Sequence, residues 1–314
     1  MIKYSLTRLI LVWIILIIVA ALLGDVAVAG SDVGRTSADF LQIGHGARAA
    51  GFGGAYTAVS EGAVSAYWNP AGLAGLDRTE VSLGHFAWFQ DITVEQASFA
   101  LPLQAGPVLA ASITYVNYGT IEGYDASGTP TGDLTAYDWV GGLSVAYPVT
   151  EAFSVGLTGK FVNQRLDEYS ASTFAADFAL KYRFAGFAIG GAVTNIGGKM
   201  KFDTESEDLP SAARIGFAAM PFSGALIASL DVEQKFQGDL VIRQGLEFGF
   251  DERYYLRTGY DYLPGQDGKG LSTAISFGGG LRFVFADIDY AFTPNDKSTS
   301  EDLHRFSISL RLGN

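Results

Sequence analysis

A chain of 314 residues with 48% hydrophobic and only 17% charged side chains lacks the surface of a soluble globular protein, in which about a quarter of residues are charged. Its net charge of −12 excludes nucleic acid as a partner, since no basic excess is present to neutralise phosphates, and its lack of cysteine excludes disulfides, thiolate metal sites and cysteine nucleophiles. The apolar residues form no spans of about 20 beyond one N-terminal stretch, which excludes a multi-helix membrane protein and leaves a large core or a barrel of alternating strands.

The N-terminus reads as an export signal over residues 1–29. Lys3 and Arg8 form a positive start, Leu9 to Leu23 are uninterruptedly apolar, and Ala27-Val28-Ala29 offers a small-x-small cleavage site before Gly30. No cysteine follows the apolar run, so a lipoprotein is excluded. Residues 30–77 differ from the remainder of the chain. They are rich in Gly and Ala, show no alternation, and predict one or two short helices around Gly44, Gly51 and Gly53-Gly54.

From Arg78 to the end the period is two, which assigns 78–314 to a barrel. Phe153, Val155, Leu157 and Phe161 alternate with Ser154, Gly156, Thr158 and Lys160. Phe306, Ile308, Leu310 and Leu312 alternate with Arg305, Ser307, Ser309 and Arg311. One apolar and one polar face per strand is β periodicity. About 14 such strands are predicted, most of them long enough to cross a bilayer at a tilt. They fall near 79–88, 92–103, 107–118, 134–148, 152–165, 172–184, 186–195, 211–221, 225–236, 239–250, 253–262, 271–281, 284–293 and 303–312. Every second link is tight, as at Gln104-Ala105-Gly106 and Asp251-Glu252, while 119–133, 196–210, 263–270 and 294–302 are long. Short turns at one end and long loops at the other are the outer-membrane pattern. The polar row, including Lys160, Asp231, Glu233, Arg243, Glu247, Arg257, Asp261 and Asp289, belongs to the lumen. Tyr254, Tyr262, Tyr118 and Trp88 are expected in the interfacial girdles.

Few motifs point to chemistry. Gly44-His45-Gly46-Ala47-Arg48-Ala49 fits a dinucleotide fingerprint but has no βαβ context, so close packing against the barrel wall is the better reading. His45, His85 and His304 lie far apart and make no metal-ligand spacing. Asp287 and Asp289 share one face of a strand and read as lumen acids near Arg305 rather than a catalytic pair. No G-x-S-x-G, H-E-x-x-H or P-loop occurs, so the chain reads as non-enzymatic, with no cofactor and no metal. The strongest motif is Ala66-Tyr67-Trp68-Asn69-Pro70-Ala71-Gly72-Leu73, just before the first strand. Pro70 fixes its own φ and holds Asn69 extended, so Asn69-Pro70 is a rigid turn. An aromatic segment that ends in such a turn before a barrel predicts a plug in the lumen.

At this motif the chain resembles the FadL-like outer-membrane proteins, the long-chain fatty-acid transporter superfamily. Residues 38–73, with Gly46-Ala47-Arg48-Ala49-Ala50-Gly51-Phe52-Gly53-Gly54 at their centre, are similar to the PorV/PorQ family. The resemblance implies a 14-stranded barrel with an N-terminal hatch, and Asn69, Pro70 and Ala71 match the family's hatch motif. PorV/PorQ likeness implies a component that handles secreted cargo proteins in type IX-like secretion, with cargo and secretion machinery as partners beside outer-membrane lipid. FadL likeness implies the alternative: uptake of long-chain fatty acids or other hydrophobic molecules, for which Phe40, Phe52, Tyr56 and Trp68 are the candidate contacts. The expected place is the cell outer membrane. The ending Leu312-Gly313-Asn314 departs from the aromatic ending usual in such barrels.

Overall fold

The computed structural model describes residues 36–88, 92–104, 106–202, 205–263, 275–294 and 302–313. The export signal and most of the loops expected over 263–270 and 294–302 lie outside them. Period-two alternation becomes β1 (Thr79–Ala87), β2 (Thr93–Pro102), β3 (Val108–Tyr124), β4 (Pro130–Pro148), β5 (Phe153–Leu166), β6 (Tyr169–Phe184) and β7 (Phe187–Gly197). A small hairpin comes next, β8 (Met200–Phe202) and β9 (Glu205–Glu207). The chain continues with β10 (Ala212–Ala219), β11 (Leu226–Lys235), β12 (Leu240–Phe250), β13 (Tyr254–Tyr262), β14 (Ile275–Arg282), β15 (Ala286–Thr293) and β16 (Leu303–Leu312).

Fourteen of these strands, all but β8 and β9, close into one antiparallel barrel in which β1 pairs with β16 and β7 with β10. Closure leaves no open edge, the condition for a sheet to cross lipid. β6 shows why the sequence alternates. Ala171, Ala175, Asp177, Ala179 and Lys181 are buried inside, while Phe174, Phe178, Leu180 and Tyr182 are exposed on the outer face that meets hydrocarbon. At the short-turn end, Ala185 and Gly186 both have positive φ, 42° and 85°, as a two-residue turn matched to the strand twist requires.

Two expected loops are built otherwise. The segment 119–133 is mostly strand: β3 and β4 run on past a bulge after Asn117 and turn only at 125–129. There the Asp125 carboxylate accepts from the amides of Ser127 (2.9 Å) and Thr129 (2.8 Å). The segment 196–210 contains β8 and β9, and Met200 is buried rather than in water. The barrel is therefore tall at β3–β6 (14 to 19 residues per strand) and low at β14–β16 (8 to 10).

Residues 36–76 fill the lumen. They form short 3-10 turns at Asp39–Gln42 and Pro70–Gly75 and helical turns at Ala47–Gly51 and Ser65–Trp68. Elements this short are marginal alone; contact with the barrel wall holds them.

Candidate functional site

Asn69 anchors the inner segment. Its backbone is extended (φ −160°), and Pro70 opens the 3-10 turn after it. Its side-chain oxygen accepts from the Ala71 amide (3.1 Å). Its NH2 group donates to the Thr57 carbonyl (2.9 Å) and, across to the wall, to the Leu180 carbonyl on β6 (3.1 Å). The side chain is fully buried, so each of these bonds satisfies a group that would otherwise be stranded away from water.

Around this anchor the wall is made of glycine. Gly156, Gly190, Gly216, Gly245, Gly259 and Gly278 face inward from β5, β7, β10, β12, β13 and β14, and Gly216–Gly190 and Gly245–Gly259 are cross-strand partners. A Cβ on any of them would lie within 3.1 Å of backbone in the inner segment: Pro70-Ala71, Thr57, Ala58, Phe52, Gly53 and Gly51 in turn. Glycine is required here because backbone lies directly on backbone.

Charged side chains fix the same contact. Arg48 donates twice to Glu247 (2.9 Å each), and Arg257 bridges Glu247 (2.5 Å) and Asp289 (2.7 Å). Asp231 accepts from the Thr57 amide at 2.7 Å. Glu233 pairs with Arg214 and with Arg243 (3.1 Å), and Lys160 with Asp177 (2.6 Å). The polar row faces the lumen as expected, but not every partner does. Asp287 pairs with Arg311 and Arg282, and Asp289 with Arg257, not with Arg305. Arg305 instead lies 4.5 Å over the Phe86 ring and donates to the Gly44 carbonyl. At the short-turn end a polar cavity of about 310 Å³ remains, lined by Arg48, Glu61, Glu80, Asp287 and Arg311 among others.

At the long-loop end the lumen turns apolar. The inward row of β5 runs Gly156, Thr158, Lys160 and then Val162; that of β2 ends in Val94 and that of β3 in Val116, its cross-strand partner. These valines and Phe86 form one buried cluster with Phe40, Leu41 and Ile43 of the inner segment and Met200 of the small hairpin. Trp88 and Tyr118 pack against this cluster, and the Tyr118 hydroxyl donates to Asp138 (2.7 Å). Both were expected in the girdle; the bulge after Asn117 brings Tyr118 inward instead. Tyr254 and Tyr262 are on the exposed face.

The candidate contacts divide between two places. Phe40 belongs to the mouth cluster, whereas Phe52, Tyr56 and Trp68 form a second cluster beneath it, with ring centroids 6.0 Å apart along Phe52–Tyr56–Trp68. Between them lies His45. Its ring stacks on Tyr67 at 4.3 Å and meets the Thr114 hydroxyl at 2.5 Å, and its carbonyl accepts from the Trp68 indole (2.8 Å). Burial, then the nearby charges of Lys160 and Arg305, lower its pKa from 6.5 to about 3, so it is neutral. The glycine-rich stretch at 44–49 packs on the wall: the amides of Gly46 and Ala47 donate to Gln96 and Ser307. His85 and His304 lie elsewhere, paired with Glu95 and Tyr290. Sequence reasoning missed the glycine belt, the inward valines and Met200. The valines had a signal, since Val162 continues the polar row of its strand on the same face.

The sequence profile of the family described as outer membrane protein transport protein (OMPP1/FadL/TodX) matches residues 36–195, just over half of the 314-residue chain. No curated protein matches. Among solved structures, the P. putida toluene transporter TodX superimposes with a TM-score of 0.62 at 14% identity, covering 86% of this chain and 99% of that one. The Ralstonia pickettii toluene transporter TbuX gives 0.59 at 14%, covering 86% and 99%. A Pseudomonas aeruginosa FadL homologue gives 0.54 at 12%, covering 84% and 97%. At these identities the likeness is one of fold. The profile match carries the transporter side of the resemblance, the alternative in the sequence reading, and does not carry the PorV/PorQ side.

Proposed function

The chain belongs to the outer membrane protein transport protein (OMPP1/FadL/TodX) family, and from that premise we propose that it carries hydrophobic small molecules across the outer membrane by way of the apolar mouth of its lumen. One observation carries this reading. Lumens that conduct water are polar, yet here Val94, Val116 and Val162 point inward beneath Met200 and Phe40. Such a lining favours apolar cargo by about 25 cal/mol per Å² buried and offers nothing to ions.

In this reading Phe40 makes the first contact and Phe52, Tyr56 and Trp68 the next. Asn69, Pro70 and Ala71 are the fixed base of the hatch. The transfer is non-covalent and draws on no cofactor. The structural neighbours that are toluene transporters make monoaromatic hydrocarbons the first cargo to try, with long-chain fatty acids second. The decisive measurement is uptake of labelled toluene or oleate into cells expressing the chain. Val116→Asp is expected to abolish saturable uptake while the heat-dependent gel shift of the folded barrel persists. Uptake no faster than in cells without the chain would sink the proposal. The PorV/PorQ-like stretch 38–73 supports a second reading, handling of secreted proteins, which predicts that such proteins co-purify from native membranes.

A further inference from the structure

The chain leaves the barrel after β7 and rejoins it at β10, and between them β8 and β9 form a sheet of their own that pairs with no barrel strand. Asn195, in the left-handed region at φ 59°, starts this excursion. Its NH2 group donates to the Pro210 carbonyl (3.0 Å) and its carbonyl accepts from the Ser211 hydroxyl (2.7 Å), so one residue clamps both ends together. The Gly198 amide adds a bond to the Phe174 carbonyl on β6 (3.0 Å). Beyond this clamp the hairpin has two unlike faces. Met200 and Leu209 are buried in the mouth cluster and Phe202 packs against it, while Lys199, Lys201, Glu205 and Glu207 are exposed. Among the described residues, a single hydrogen bond ties residues 199–208 to anything beyond the hairpin and its clamp: the Ser37 amide donates to the Asp208 carbonyl (3.1 Å).

Two strands of three residues have little stability of their own in water. The burial of Met200 and Leu209 and the bond to Ser37 hold this hairpin down, an attachment that can release as a unit while the base stays clamped. Phe40, the first cargo contact of the transport reading, is buried in the same cluster (5% exposed). An arriving molecule therefore reaches it only when a neighbour moves aside, and the barrel strands, bonded on both sides, do not. Resting on that transport reading, we propose that the β8–β9 hairpin is the gate of the cargo path. It swings about the Asn195 clamp, breaks the Ser37–Asp208 bond and withdraws Met200 from the mouth cluster. Apolar cargo then covers the surface that Met200 leaves, which offsets the apolar area exposed by opening. An ion covers no apolar surface, so the gate stays shut to it.

The test exploits a chain without cysteine. Ser37→Cys with Asp208→Cys puts two thiols at the latch, and the oxidised and reduced forms of this one variant are compared. With the disulfide formed, saturable uptake of labelled toluene is expected to fall to the level of cells without the chain, and added reductant to restore it. Met200→Ala probes the same gate without a cross-link. Exchange of the Ser37 amide in the purified barrel should rise about thirtyfold, with the heat-dependent gel shift intact. Equal uptake by the oxidised and reduced forms would overturn the gate and leave the transport reading standing. A Ser37 amide indifferent to Met200→Ala would overturn the gate as well. No saturable uptake by wild type would defeat the transport reading and the gate with it.

Discussion

The two halves of the inner segment meet the same barrel in opposite ways. Residues 51–72 lie backbone on backbone against six wall glycines, with Asn69 bonded to Thr57, Ala71 and Leu180. Residues 36–46 touch the wall through side chains. Gln164 accepts from the Ala38 amide (3.0 Å), Gln96 bridges Gly44 and Gly46 (3.1 Å each), and Phe40, Leu41 and Ile43 rest on valines. A backbone seated on glycine has no soft atom to give, since interiors are close-packed and transmit strain. A backbone held by glutamine amides and apolar contacts can exchange them for water or for cargo at small cost. On the proposed transport reading, the rigid seal therefore belongs to the short-turn side and the movable part to the mouth, beside Met200.

The largest expected effect tests the rigid half. Gly259→Val would drive a side chain into Phe52 and Gly53 and is expected to cost about 3 kcal/mol or more. The hatch should become protease-sensitive or the folded band disappear, while Gly159→Ala, where a Cβ meets nothing within 4 Å, leaves both unchanged. Asn69→Ala comes next. It strands the Thr57 and Leu180 carbonyls and should cost about 2–4 kcal/mol, read as faster amide exchange at Ala71. If either variant instead leaves 51–72 protected, the glycine-backed half is not the seal.

The movable half predicts a pH effect. His45 has a pKa of about 3 in place against 6.5 when free, so opening this segment takes up a proton between those values. Its contribution is fully present above pH 6.5 and is lost as the pH falls toward 3. The protection of the 36–46 amides, their exchange measured against that of the unstructured chain at the same pH, should therefore fall on acidification in wild type, and His45→Gln should flatten that profile. The smallest effect is that of Gln96→Leu, which removes two bonds to the segment at about 1 kcal/mol each. Gly46 exchange should rise about thirtyfold with barrel melting unchanged. A Gln96→Leu barrel that melts early would mean that this half too is structural.

Much of this was legible in the chain. Period two, strand lengths near those of a bilayer crossing and the sorting of short and long links reflect which solvent each side chain meets, and that is written locally. So is the Asn69-Pro70 turn, because proline acts on its own φ and its neighbour's. Other features depend on which distant residues arrive opposite one another once β1 meets β16. Gly259 looks like any glycine until Gly53 is laid on it. Asp287 chooses Arg311 over Arg305 through strand pairing and side-chain reach. Val162 is apolar on a polar row because Phe40 and Met200, far from it in sequence, close over it. Local periodicity assigns a side chain to a face; only the closed register and the inner segment lying across it decide what that face must accommodate.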